Sequence, residues 1–111
     1  MDILEIEIQG ELTYPEIEKM MDDYFSNPHR NVLIDLRGGN FDIISRGEMV
    51  RIIQRFKDPS VEHTVKSAVV TTRDEDIGFA KLLKNIGKME QIPTKYKIFR
   101  NIEQAMDWLR S

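Results

Sequence analysis

The chain has 111 residues, 41% of them hydrophobic and 32% charged, with a net charge of −3. That length suits one folded domain and is too short for two independent cores, and the negative total excludes a general nucleic-acid binder, which would present a basic face. Cysteine is absent, which excludes disulfides and thiolate metal sites and favours a reducing, cytoplasmic setting.

The charge is unevenly distributed. Residues 1–55 hold 6 Lys/Arg against 11 Asp/Glu, whereas residues 56–111 hold 10 against 8. Apolar runs such as Val32-Leu33-Ile34 are soon broken by charge, so no membrane span is expected. Strand-like sequence begins at Ile3, so no targeting peptide is expected either.

The first strand is predicted over Ile3 to Ile8, where Leu4, Ile6 and Ile8 alternate with Glu5 and Glu7. After Gly10 comes a helix start, with Thr13 as N-cap, Glu16 completing a capping box, and Leu12 and Ile17 spaced for a hydrophobic staple. Pro15 falls in the first turn, where its missing N–H is harmless. Ile17, Met20, Met21 and Tyr24 form the apolar stripe, and Asn27-Pro28 ends the helix.

The second strand, Asn31 to Leu36, has three consecutive apolar residues and is expected to be buried on both faces. Arg37-Gly38-Gly39-Asn40 reads as a turn. Ser45 and Glu48 form a second capping box, with Ile44 and Met49 as its staple. Met49, Ile52, Ile53 and Phe56 give a core-facing stripe, which Asp58-Pro59-Ser60 closes. The third strand runs from about Lys66 to Thr72. Asp74-Glu75-Asp76 then sets negative charge at a helix N-terminus, Phe79, Leu82, Leu83 and Ile86 form its stripe, and Gly87 serves as C′ residue. A fourth strand, Tyr96 to Phe99, leads to a last helix capped by Asn101, with Gln104 in the box position and Ile102, Ala105, Trp108 and Leu109 facing inward. Strands separated by single helices imply an α/β fold with a mainly parallel sheet of four to five strands and about four helices. The polar alternation of the first strand implies that one sheet face is only partly covered.

No catalytic constellation emerges. Gly38-Gly39 lacks both the P-loop ending and the G-x-G-x-x-G spacing, so a tight turn is the better reading. His29 and His63 have no second ligand at metal-binding spacing, and no G-x-S-x-G elbow is present. Asp35 and Asp42 flank the glycine turn, where they need only solvate a loop and cap a helix. The chain is read as a non-enzyme that needs neither metal nor cofactor. Lys81, Lys84, Lys88, Lys95, Lys97 and Arg100 read as the solvated face of a helix plus a strand end, or as a docking patch for an acidic partner or anionic lipid. Ser45 serves first as an N-cap. The free N–H groups and dipole of that helix end would also favour a phosphate there.

The segment Ile6-Glu7-Ile8-Gln9-Gly10-Glu11-Leu12-Thr13, the buried strand Val32-Leu33-Ile34-Asp35-Leu36, and the ending Phe99 to Leu109, with its Phe-x-x-x-x-x-Ala-x-x-Trp-Leu pattern, resemble the STAS domain of anti-sigma-factor antagonists. The group they resemble most is the SpoIIAA-like one. The resemblance spans nearly the whole chain and implies one STAS-type domain over residues 1–111. Antagonists regulated by phosphorylation carry an Asp-Ser-Ser-Gly-type segment at this helix start; here Asp42-Ile43-Ile44-Ser45-Arg46-Gly47 takes its place, with Ser45 alignable to that segment, an Ile in the neighbouring serine position and Arg46 between Ser45 and Gly47. The resemblance implies a regulatory, protein-interaction module whose partner meets Asn40, Asp42, Ser45, Arg46 and Glu48. The alternative is a module of SEC14-like type that binds a small apolar molecule or lipid, with Met20, Met21 and Met49 as adaptable pocket liners.

Overall fold

Period-two alternation in the strands and period-3.6 stripes in the helices divide the apolar residues among three sets of contacts. A computed structural model describes residues 3–26, 31–55, 66–89 and 95–111. These form the strands β1 (Ile3–Glu11), β2 (Asn31–Asn40), β3 (Lys66–Val70) and β4 (Lys95–Phe99), alternating with the helices α1 (Tyr14–Ser26), α2 (Arg46–Arg55), α3 (Asp74–Met89) and α4 (Ile102–Arg110). The sheet order is β1-β2-β3-β4 and every pairing is parallel, as the alternation of single strands and helices implies.

The two sheet faces are covered differently. On one, Ile8 and Leu36 pack with Ile17, Met21 and Ile52 beneath α1 and α2, joined by Ile6 and Ile34. Met49 and Ile53 of α2 meet Phe79, Leu83 and Ile86 of α3 on the same side. On the other, Leu33, Ala68 and Val70 receive Ala105 and Leu109 of α4, with Phe99 and Trp108 alongside. α4 lies over β2, β3 and β4. Glu5 and Glu7 of β1 stay exposed, as their alternation with isoleucines implies.

Capping at three helix starts follows the sequence. The Thr13 hydroxyl and N–H donate to Glu16 Oε1 (2.8 and 3.2 Å), and the Glu16 N–H donates back to Thr13 Oγ1 (3.3 Å). At α4 the Asn101 side chain accepts from the N–H groups of Glu103 and Gln104 (2.7 and 3.1 Å). The far end of α4 is held by β-strand residues. Asn31 donates to the Leu109 carbonyl (2.8 Å) and accepts from the Lys66 N–H (2.9 Å), and Lys66 Nζ reaches the carbonyls of Trp108 and Ser111 (3.0 and 2.8 Å).

The fold corrects several readings. Arg37-Gly38-Gly39-Asn40 is no turn: β2 continues through it, and Gly38, Gly39 and Asn40 pair with Gln9, Gly10 and Glu11. From Glu7↔Asp35 to Gln9↔Gly38, β1 advances two residues and β2 three, so the extra residue forms a bulge in β2. The glycine is needed for close approach, since a Cβ on Gly39 would lie 2.7 Å from Ile8 Cγ2 and 2.8 Å from the Gly10 carbonyl oxygen. β1 accordingly runs to Glu11 rather than Ile8, with Gly10 at φ 74°. Gly87 lies inside α3, which continues to Met89, because one glycine costs a helix only about 1 kcal/mol. Leu82 is 46% exposed, and the buried face of α3 carries Asp76, Ile77 and Ala80 instead. Ile44 joins the cluster under α1, whereas Met49 joins the one against α3. Trp108 is half-buried. The expectations for Asn27-Pro28, His29, Phe56, Asp58-Pro59-Ser60 and His63, and for the Tyr24 side chain, lie outside the described residues.

Candidate functional site

In a parallel α/β sheet the carboxyl ends of the strands all open onto one edge, where loops can gather functional groups. Here that edge carries the β2–α2 loop (41–45), the β3–α3 corner (71–73) and the β4–α4 corner (100–101).

The β2–α2 loop is fastened from several directions. The Asn40 side chain accepts from the Asp42 N–H (3.0 Å), and the Ile44 N–H donates to the Phe41 carbonyl (3.0 Å), which closes a tight turn. The Phe41 N–H donates to Asp76 Oδ1 (3.0 Å), and the Phe41 ring stacks on Phe79 of α3 with centroids 4.5 Å apart. Arg73 links the same pieces. Its guanidinium lies 3.3 Å from both carboxylate oxygens of Asp42, 3.6 Å from Asp76 and 3.8 Å from Glu75. Asp76 is 1% exposed, so a buried carboxylate of α3 positions a loop that leads into α2.

Ser45 caps α2. Its Oγ accepts from the Glu48 N–H (3.1 Å), and its own N–H donates to Glu48 Oε1 (2.9 Å). Ser45 and Arg46 are exposed, whereas Asn40 and Glu48 are half-buried with their side chains engaged in the turn and the cap. Asp42 is exposed and paired with Arg73. The five residues expected from sequence are thus close along one stretch of chain, in two roles: Ser45 and Arg46 face solvent, while Asn40, Asp42 and Glu48 shape the loop beneath them.

Two apolar residues at this site were not anticipated. Ile43 is 46% exposed at the tip of the turn, and Val50, one helical turn beyond Arg46, is 41% exposed. Nothing lies within 4 Å of where a Gly47 Cβ would stand, so the surface between them is open. The sequence signal for Ile43 was its place beside Ile44 in a polar loop, where only one of the two can turn inward. Arg73, Phe41 and Asp76 were also missed as the supports of the loop.

Other polar groups are electrostatically distinct but lie apart from the loop. Asp35 receives Arg37 Nε and Nη2 (2.9 and 2.8 Å), and these bonds hold its carboxyl below the ordinary 3.8. Burial raises the Tyr96 phenol well above the ordinary tyrosine range. The Tyr96 hydroxyl and the Thr71 hydroxyl are buried without a hydrogen-bond partner among the described residues. Lys66 and Lys97 place their ammonium groups 5.4 and 5.5 Å from the Trp108 ring. Among the described residues no helix is long and apolar enough to cross a membrane.

Comparison with known proteins adds one match: the family model described as SpoIIAA-like aligns with residues 3–110. No curated protein and no solved structure matches the chain.

Proposed function

The chain belongs to the SpoIIAA-like family, and we propose that it acts as a non-enzymatic, regulatory protein-interaction module of STAS type. In this reading a protein partner docks on the β2–α2 loop and the outer face of α2, meeting Ile43, Ser45, Arg46 and Val50, with Asn40, Asp42 and Glu48 shaping the surface. The observation that carries it is Ile43: a large apolar side chain is held in solvent by a loop fastened at Phe41, Asp42 and Asp76. Exposing such a residue has no folding advantage, whereas fastening the loop lowers the ordering cost of binding.

Ser45 is the natural control point. Its residue is exposed and its Oγ accepts from the Glu48 N–H. A phosphoryl group there would remain beside the N-terminal N–H groups of α2, which favour negative charge. The same dianion would cover the ground between Ile43 and Val50 and change what can dock. A cytoplasmic location belongs to this reading, supported by the absence of cysteine. A small apolar ligand or lipid has weaker support, because Met21 and Met49 are enclosed in core clusters.

The test compares wild type with an Ile43→Asp/Arg46→Glu double variant of equal stability, each used to capture proteins from host lysate. The reading predicts a partner retained by wild type and lost by the variant. Equal retention by both would move the interface elsewhere, and copurification of an apolar molecule without a protein would favour the ligand-binding alternative.

A further inference from the structure

The sheet order separates the charges that the sequence distributes unevenly. Residues 3–26, which form β1 and α1, carry seven carboxylates and one lysine, whereas residues 78–100, which span most of α3 and all of β4, carry five lysines, one arginine and one carboxylate. Because the order is β1-β2-β3-β4, β1 and β4 are the opposite lateral edges of the sheet among the described residues. With neighbouring strands about 4.8 Å apart, the two edge strands are separated by only three strand spacings.

The side chains sharpen this polarity. On α3, Phe79, Leu83 and Ile86 lean toward Met49 and Ile53 of α2, and Ile77 and Ala80 face the sheet. Helical spacing therefore sets Lys81, Lys84 and Lys88 on the flank away from α2, beside the outer edge of β4. Lys95 and Lys97 alternate with Tyr96 along β4 and are exposed. On α1, Asp22 pairs with Arg55 of α2 (2.8 Å), so Glu16 and Asp23 fall on the opposite flank, above β1. Glu5, Glu7 and Glu11 complete that edge, and all five carboxylate residues are exposed.

We infer that the protein self-associates head to tail, the basic β4–α3 edge of one copy docking against the acidic β1–α1 edge of the next. The charges select this arrangement over a two-fold dimer. A symmetric β4–β4 contact would set lysines against lysines, and a β1–β1 contact would set carboxylates against carboxylates. Only the heterologous pairing matches opposite signs. Among the described residues β1 and β4 each have a strand neighbour on one side only, so the same contact sets two edge strands alongside one another. A twist of about −20 to −25° per strand turns each four-stranded copy roughly 90° relative to the last, which leaves an open chain that grows with concentration.

The test is sedimentation velocity of the full chain at low and high salt, with two charge-reversal variants. The Debye length is about 30 Å at 0.01 M and about 3 Å at 1 M ionic strength, so the wild type should form a concentration-dependent ladder in the first buffer and a monomer in the second. Lys95→Glu/Lys97→Glu makes β4 itself acidic and takes residues 78–100 from a net +5 to +1, and Glu5→Lys/Glu7→Lys makes β1 itself basic and takes residues 3–26 from a net −6 to −2. Each variant alone should associate at least about tenfold more weakly, and an equimolar mixture of the two should associate again. Circular dichroism checks that both variants fold. A wild type that stays monomeric at low salt overturns the inference. So does a salt-insensitive dimer, or a mixture that associates no better than its components.

Discussion

Removing the Asp76 carboxylate should release the β2–α2 loop, and two substitutions separate the hydrogen bond from the charge. Asp76 is buried and accepts from the Phe41 N–H at 3.0 Å, with Arg73 3.6 Å from its other oxygen. Asp76→Ala deletes an acceptor that, when charged, contributes about 1.5–3 kcal/mol, and it leaves the Phe41 amide without a partner at a cost of about 1–3 kcal/mol. These two descriptions overlap, so the expected loss is about 3 kcal/mol. Asp76→Asn keeps an amide oxygen where Oδ1 was and also removes the desolvation cost of a buried charge. It loses only the attraction of Arg73, a half-exposed side chain that retains Asp42 and Glu75 as partners, so the net loss should stay below about 1 kcal/mol. Urea unfolding of the three proteins measures both values. Amide hydrogen exchange at Phe41 should accelerate in the alanine variant and remain slow in the asparagine one. If asparagine destabilised as much as alanine, the ion pair rather than the hydrogen bond would hold the loop. If neither mattered, Asp76 would not position the loop at all.

Ser45→Ala should cost about 0.5–2 kcal/mol in urea unfolding and Ser45→Asp much less, since aspartate also caps; equal effects would mean that the Ser45–Glu48 box contributes little. Asn31→Ala removes both the donor to Leu109 and the acceptor for Lys66 and should cost about 1–3 kcal/mol, with faster exchange in the last turn of α4. Trp108→Ala should cost about 2–4 kcal/mol, toward the lower part of the range for emptying an aromatic site because the ring is half-buried. The Asp35 pKa is lowered in the fold by its hydrogen bonds from Arg37, so this pair stabilises above the ordinary 3.8 and the contribution fades as pH falls through the lower folded value. Stability measured between pH 5 and about pH 2 should therefore fall more steeply in wild type than in Asp35→Asn, and identical slopes would contradict the pairing.

What the sequence revealed was local or periodic. The Thr13–Glu16 and Ser45–Glu48 boxes each need only four consecutive residues, and both form as read. The partly covered face was legible in β1, because Glu5 and Glu7 have no reason to alternate with isoleucines on a strand buried from both sides. Features that depend on a distant partner were not legible. Gly38-Gly39 suits a turn and a bulge equally well, and only the approach of Ile8 and Gly10 from β1 decides between them. On α3 Phe79, Leu83 and Ile86 pack as their spacing implies and only Leu82 faces solvent, because Leu82 and Leu83 are equally apolar and only the packing against α2 distinguishes them. Asp76 reads as one of three first-turn acids favoured by the helix dipole, since its burial depends on Phe41 arriving from the β2–α2 loop. The candidate site divides the same way: Ser45 follows from its capping motif, whereas the exposure of Ile43 follows from fastenings 35 residues away in sequence.

In the proposed function the β2–α2 loop is a fastened surface that meets a protein partner. A photo-crosslinking residue placed at position 43 in the host, with a control at the exposed Gln104 of α4, tests it most directly. A discrete protein adduct is expected at position 43, absent at 104 and lost when Arg46→Glu is added. Adducts of equal yield at both positions, or none at 43 while a partner still copurifies, would contradict it.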